Sequence, residues 1–112
     1  LDPAVSRENL EGILKVAQEN GLDVLVVGME APGNYGPEYK AEFDAIYPEL
    51  SQTYGALYFP RFFEGLYTVG DTPAELRDVM QMDGIHPNAD GVELIVDVMG
   101  PAVAELIKRA SE

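Results

Sequence analysis

The chain has 112 residues, enough for one small domain, and 46% of them are hydrophobic, which is typical of a globular protein and excludes a fully disordered one. Its 20 acidic and 7 basic residues give a net charge of -13, which argues against binding to nucleic acid or to an anionic membrane surface. It has no cysteine, which excludes disulfides and thiolate catalysis, and no apolar run approaches the ~18 residues of a transmembrane segment.

The first 28 residues predict a helix followed by a strand. Asp2 and Pro3 are typical of a helix start, and Gly21 of a helix end. Between them an apolar stripe has helical spacing: Leu10, Ile13, Leu14 and Ala17. Residues 22–28 are rich in β-branched residues and nearly continuous in apolar character. They predict a strand buried on both faces, as in parallel sheets.

A second helix-strand pair follows a loop at residues 29–37. The spacing of apolar residues predicts a helix over about 38–54, within which Pro48 should cause a kink or a break. Residues 56–59 predict a second strand. The segment 60–78 reads as irregular, with one helical turn near 74–77.

The last part of the chain predicts a loop and a long helix. Residues 80–88 form the loop, and the helix begins at Asn88 or Ala89. Gly100 and Pro101 should bend or restart this helix. Its apolar stripe is long: Leu94, Ile95, Val98, Met99, Ala102, Val103, Leu106 and Ile107.

This order of elements predicts an α/β fold with parallel strands covered by helices. Two strands alone leave both sheet edges open and bury little apolar surface. We therefore expect the chain to be part of a larger domain, completed by a second polypeptide, a segment outside the sequence or an oligomeric partner. Since the chain begins at Leu1 rather than Met, we also expect its natural N-terminus to lie upstream.

One motif carries recognisable chemistry. The segment from Asp83 to Pro87 contains His86, the only histidine of the chain. An aspartate three residues before a histidine can accept a hydrogen bond from Nδ1–H, which leaves Nε2 to take a proton from a nucleophile. The alternative is a plain loop-to-helix junction, because Asp-Gly is a common turn pair and Asn88 a good helix cap.

Several segments, in their order and spacing, resemble one enzyme family. They are residues 26–39 with Phe43, Ile46, Tyr47 and Leu50, then residues 62–65, and then residues 83–89 with Gly91. Together they are similar to the bacterial arylesterase and thioesterase-I-like branch of the SGNH (GDSL-type) hydrolases. The similarity runs through nearly the whole chain, so residues 1–112 are interpreted as the C-terminal part of a single domain of this family.

The resemblance implies a three-layer α/β/α sandwich with a parallel, flavodoxin-like sheet. It implies a serine esterase acting on a small carboxylic ester or thioester through an acyl-enzyme, without a cofactor and without a metal. Asp83 and His86 match the family's last sequence block. The G-D-S serine and the oxyanion glycine and asparagine have no counterpart here, because Leu1 to Pro3 resembles the segment just after the asparagine block.

The resemblance therefore implies that the chain is inactive alone and needs a complementary N-terminal polypeptide carrying the serine. It is compatible with a periplasmic or secreted location. It also suggests that part of the loop at 29–37 borders the substrate pocket: Ala31, Pro32, Asn34 and Tyr35. The alternative is a simple connection in which Tyr35 is a packing lid.

Other side chains are weaker candidates. Ser6, Ser51 and Ser111 are the only serines, and none follows a strand in a nucleophile elbow; Ser6 is placed to cap the first helix. Four aromatic residues could line an acyl site, although packing is their commoner use: Tyr58, Phe59, Phe62 and Phe63.

Two other functions remain open. The chain could be a non-catalytic fragment or binding module that associates with a complementary chain. A flavodoxin-like ligand-binding domain is a third interpretation, which the absence of a phosphate-loop pattern in residues 29–37 disfavours.

Overall fold

Four α-helices and two β-strands form the regular structure in the computed structural model, which describes residues 1–112. The chain divides into two units, Leu1–Arg61 with Ala102–Glu112 and Phe62–Pro101. In chain order the elements are α1 (Pro3–Glu19), β1 (Leu25–Val27), α2 (Pro37–Thr53), β2 (Leu57–Phe59), α3 (Pro73–Leu76) and α4 (Ala89–Ala110).

The two strands of the first unit pair in parallel. Leu25 lies opposite Leu57, and Val27 lies opposite Phe59. The helix α2 connects them, as a parallel pair requires. This confirms the predicted α/β class with a parallel sheet. A three-layer sandwich needs more strands than this chain contains, and the observed pair is consistent with it.

Strand β1 is shorter and less buried than predicted. The strand covers only Leu25–Val27, and the pairing ends at Gly28, whose N–H donates to the Phe59 carbonyl at 2.7 Å. Only Val26 of β1 is buried, and Leu22 is 63% exposed. The expectation of burial on both faces is wrong, because Val26 packs against Leu14, Ile46 and Leu50 while Leu25 and Val27, on the other face, are only half-buried.

Helices α1 and α2 pack together, and α2 contacts both strands. Their shared core consists of Leu14, Val26, Ile46 and Leu50. Asp2 caps α1 by accepting a hydrogen bond from the Ala4 N–H at 2.9 Å, as predicted. Ser6 lies inside the helix, so the capping role expected for it is wrong.

Neither internal proline ends its helix. Pro48 lies within α2 and Pro101 within α4, and both helices are continuous. Of the predicted alternatives, the break at Pro48 and the restart at Pro101 are wrong, while the kink and the bend stay predictions. A proline removes one backbone hydrogen bond, and the other bonds of these 17- and 22-residue helices maintain them. No helix of the chain combines the length and the apolar character that crossing a bilayer needs.

The second unit has its own core, formed by Leu66, Val79 and Ile95. It contains two short 3₁₀ segments that the sequence does not signal, Glu64–Thr68 and Arg77–Val79. The predicted helical turn near 74–77 is present as α3. This unit presents the loop that contains Asp83 and His86.

Candidate active site

The loop at residues 80–88 is closed by its own backbone. Met80 and Pro87 form an isolated antiparallel bridge. Inside it, the Gln81 N–H donates to the His86 carbonyl at 2.7 Å, and the Gly84 N–H donates to the Gln81 carbonyl at 3.0 Å. Gly84 has a φ of 67°, a left-handed conformation that favours glycine. The turn therefore folds the chain back so that residues 83 and 86 meet.

Asp83 and His86 form a direct hydrogen bond. His86 Nδ1 lies 2.6 Å from Asp83 Oδ2. The other carboxylate oxygen, Oδ1, accepts from the backbone N–H groups of Ile85 at 2.9 Å and His86 at 3.0 Å. Both oxygens are thus engaged, and the carboxylate is fixed in the orientation that holds the imidazole ring.

These contacts also set the charge of the carboxylate. The pKa of Asp83 is lowered from 3.8 to about 2, first by the backbone hydrogen bond from His86, then by the bond from its ring and by the backbone bond from Ile85. Asp83 is therefore ionised at neutral pH and acts as an acceptor. The proton in the Asp83–His86 hydrogen bond resides on Nδ1.

The second ring nitrogen of His86 makes no hydrogen bond, and the His86 side chain is 68% exposed. The Nε2 lone pair of the neutral ring is accessible from solvent. Two apolar side chains of the same loop are also exposed, Met82 fully and Ile85 at 66%. The Asp83–His86 pair, called the dyad below, is thus fixed at Nδ1 of the ring and accessible at Nε2.

Asn88 ties the two ends of this loop together. Its Nδ2 donates to the Asp78 carbonyl at 2.9 Å and to the Met80 carbonyl at 3.3 Å. Its Oδ1 accepts from the Gly91 N–H at 3.0 Å, which caps helix α4. The sequence signals the cap, while the contacts to residues 78 and 80 are found only in the structure.

The loop at residues 29–36 belongs to the first unit and is held by helix α2. The Ala31 N–H donates to Asp44 Oδ1 at 2.7 Å, and the Ala31 carbonyl accepts from Lys40 Nζ at 3.0 Å. Lys40 and Asp44 pair at 2.8 Å, and this hydrogen bond is the main cause of the raised pKa of Lys40. Sequence reasoning missed both residues, because nothing in their helical context links them to Ala31.

The four residues predicted to border a substrate pocket all lie in this loop. Ala31 is buried, while Pro32 and Asn34 are exposed. Tyr35 is 64% exposed, and its ring lies 5.1 Å from that of Tyr39. This contact agrees with the packing alternative for Tyr35. Their role toward a substrate stays a prediction.

Four of the remaining candidates have structural explanations. Ser51 is buried within α2 and donates to the Tyr47 carbonyl, and Ser111 donates to the Ile107 carbonyl at the end of α4. Tyr58 packs on the core of the first unit, and Phe63 on that of the second. No group of three or more metal-ligating side chains is clustered.

The chain is similar in sequence and in structure to known esterases. No protein-family model matches the sequence. The chain is 31% identical over 109 residues to thioesterase 1/protease 1/lysophospholipase L1 of Escherichia coli (strain K12), covering 97% of this chain and 49% of that protein. Of solved structures, the esterase AlinE4, described as an SGNH-hydrolase family esterase, is 44% identical with a TM-score of 0.63. TesA is 31% identical with a TM-score of 0.72.

These matches extend over nearly all of the chain but only part of the other proteins. They cover 94% of this chain and 52% of AlinE4, and 95% of this chain and 55% of TesA. The chain thus spans about half the length of the proteins it matches. In both sequence and structure, the chain belongs to the SGNH-hydrolase family and corresponds to the C-terminal half of its esterases.

Proposed function

We propose that this chain supplies the histidine and the aspartate of a Ser-His-Asp hydrolase of carboxylic esters or thioesters. The serine belongs to a segment outside these 112 residues, on a separate chain or on the same polypeptide, and the assembly of both parts is called the completed enzyme below. The observation that carries the proposal is the 2.6 Å contact between His86 Nδ1 and Asp83 Oδ2, which leaves Nε2 open. The names of the relatives, thioesterase and esterase, support the reaction class.

In the first half-reaction His86 acts as base and then as acid. Nε2 takes the proton of the serine hydroxyl as its oxygen attacks the carbonyl carbon, and the carbonyl π electrons move onto oxygen. When the tetrahedral intermediate collapses, the bond to the leaving alcohol or thiol breaks. The leaving atom takes the proton from Nε2–H, and the acyl group stays on the serine.

In the second half-reaction water replaces the serine hydroxyl. His86 Nε2 removes a proton from the water as it attacks the acyl-enzyme, and returns it to the serine oxygen when the acid leaves. Each cycle therefore consumes one water and leaves His86 neutral. The exposed side chains of Met82 and Ile85, in the same loop, favour an apolar acyl group.

Asp83 orients His86 and does not exchange protons. Its lowered pKa keeps it ionised throughout the cycle. It selects the tautomer with the proton on Nδ1 and stabilises the imidazolium that forms when Nε2 is protonated. The two backbone hydrogen bonds to Oδ1 prevent the carboxylate from rotating away when the ring changes charge.

The chain alone is expected to be inactive. Ser6 and Ser51 lie inside helices, Ser111 lies just after the end of α4, and none of the three follows a strand. Stabilisation of the tetrahedral oxyanion is usually a large part of acyl-transfer catalysis, and its donors are proposed to come with the serine. In the 29–36 loop, Ala31, Pro32, Asn34 and Tyr35 are proposed to border the substrate.

A non-catalytic association is the second candidate. Ile13 and Val16 on α1 are 65% and 58% exposed, and both strands of the sheet have an open edge. Such surfaces favour binding to a complementary polypeptide whether or not the pair is catalytic. Co-purification of a serine-bearing polypeptide distinguishes the catalytic assembly from a lone binding module.

Fluorophosphonate labelling of the native preparation tests the proposal, because this reagent reacts with activated serines. Intact mass of every polypeptide present shows where the label is attached. Labelling of a serine outside residues 1–112 is the expected result. Absence of label favours the non-catalytic candidate, and a label on Ser6, Ser51 or Ser111 contradicts the proposed assignment.

A further inference from the structure

The loop that carries Asp83 and His86 depends on one side chain at its base. Residues 78–80 lead into this loop and are called the incoming stem below. The Asn88 amide group donates to two carbonyls of this stem, those of Asp78 and Met80. The backbone N–H of Asn88 donates to a third, the Val79 carbonyl, at 3.0 Å. On the other side of the loop, where the chain continues into α4, Asn88 Oδ1 accepts from the Gly91 N–H. The same residue therefore binds the segments at both ends of the loop.

The contact between residues 78–80 and the first turn of α4 leaves no room for an added side-chain atom. A Cβ atom at Gly91 would lie 2.2 Å from the Val79 carbonyl oxygen and 3.0 Å from Pro87 Cβ. The incoming stem therefore rests directly on the first turn of α4, which only glycine allows at this position. Asn88 is half-buried at this contact.

From these contacts we infer that Asn88 is a positioning residue for the dyad, in addition to capping α4. Displacement of the stem is transmitted along the backbone, because Gln81 follows Met80 and donates to the His86 carbonyl at 2.7 Å. The Gln81 side chain also donates to the Pro87 carbonyl at 3.1 Å. The kinetic consequence of this inference rests on the proposed function, whereas its structural consequence does not.

Two substitutions separate positioning from capping. Serine and aspartate cap helices about as well as asparagine, but neither retains the amide N–H donors. Asn88→Ser is neutral, and Asn88→Asp adds a charge, so agreement between them removes charge as the cause. Thr72→Ala is the matched control, because it removes the cap of α3, in which Thr72 Oγ1 accepts from the Glu75 N–H at 3.2 Å.

The first readout is the ring ¹⁵N spectrum of His86. With only this chain isotope-labelled, its single histidine gives unambiguous signals. In the neutral form of the ring, wild type and Thr72→Ala should carry the proton on Nδ1, where Asp83 accepts it. Asn88→Ser and Asn88→Asp should show a mixture of the two tautomers. All spectra are recorded well below the midpoint of thermal unfolding, so that they report the folded protein.

The second readout is ester hydrolysis by the completed enzyme. The Asn88 variants should lose about 10- to 100-fold in kcat with KM little changed, as expected for small misplacement of a catalytic group. A wild-type tautomer spectrum in both Asn88 variants would overturn the inference. So would a loss of activity in these variants that equals their fraction of unfolded protein. If the wild-type assembly itself has no activity, the proposed function fails, while the spectrum still decides the role of Asn88.

Discussion

The two loops that carry the candidate residues are held in opposite ways. The 80–88 loop is held from within and at its base, because Asp83 binds the backbone two and three residues ahead and Asn88 binds its stems. The 29–36 loop is held from outside, by Lys40 and Asp44 of helix α2. Contacts of short sequence separation can be predicted from spacing, and contacts made by another element cannot.

The largest expected effect comes from disabling the orienting carboxylate. Asp83→Asn keeps the size of the side chain but presents an amide that can turn its NH₂ toward Nδ1 and favour the wrong tautomer. In the completed enzyme we expect kcat on a p-nitrophenyl ester to fall by about 10⁴-fold, with thermal stability nearly unchanged. Wild-type kcat/KM in this variant would remove Asp83 from the mechanism.

Adding one methyl group beneath the 80–88 loop should destabilise the second unit. In Gly91→Ala the new Cβ meets the Val79 carbonyl at 2.2 Å, so the stem or the helix must shift. We expect a loss of about 1–3 kcal/mol in the free energy of unfolding, measured by urea denaturation of the completed enzyme.

Gly12→Ala is the matched control for that variant. Gly12 lies inside α1 with nothing within 4 Å of the added Cβ. Its replacement should stabilise by roughly 0.5–1 kcal/mol, because alanine is the better helix former. Equal effects of the two substitutions would mean that the close contact at Gly91 is unimportant.

Breaking the support of the 29–36 loop should loosen that loop and leave the dyad intact. In Asp44→Ala the buried Ala31 N–H loses its acceptor, which costs about 1–3 kcal/mol. Asp44→Asn retains an acceptor oxygen and should lose less. Amide hydrogen exchange at Ala31 should accelerate in both variants, most in Asp44→Ala. Unchanged exchange would show that Asp44 does not support the loop.

The smallest effect concerns the titration of Asp83. Because its pKa is lowered in the folded state, its contribution to stability is present above pH 3.8 and is lost as the pH falls through about 2. A carboxyl-carbon NMR titration should give a midpoint near 2 in the wild type. In His86→Ala the midpoint should rise only part of the way toward 3.8, because the two backbone donors remain. A wild-type midpoint near 3.8 would contradict the contact geometry.

The same distinction between local and distant contacts explains what the sequence predicts. The Asp83–His86 pair and the Asp2 cap follow from local pattern, and the structure contains both. The parallel pairing of β1 and β2 is a distant contact, which the alternation of helices and strands predicts instead. The break predicted as one alternative at Pro48 and the restart predicted as one alternative at Pro101 are wrong, because the rule treats a proline alone and not the hydrogen bonds on either side of it. The support of Ala31 by Asp44 joins residues 13 apart and leaves no periodic trace.

The rate at which fluorophosphonate labels the serine of the completed enzyme tests the central claim most directly, namely that His86 Nε2 is the base that activates this serine. Labelling requires the activated nucleophile but no turnover, so product release does not affect it. We predict that His86→Ala lowers the second-order labelling rate by about 10³-fold or more, with the fold retained. A His86→Ala enzyme that is labelled as fast as the wild type would contradict the claim, because the serine would then be activated by another group.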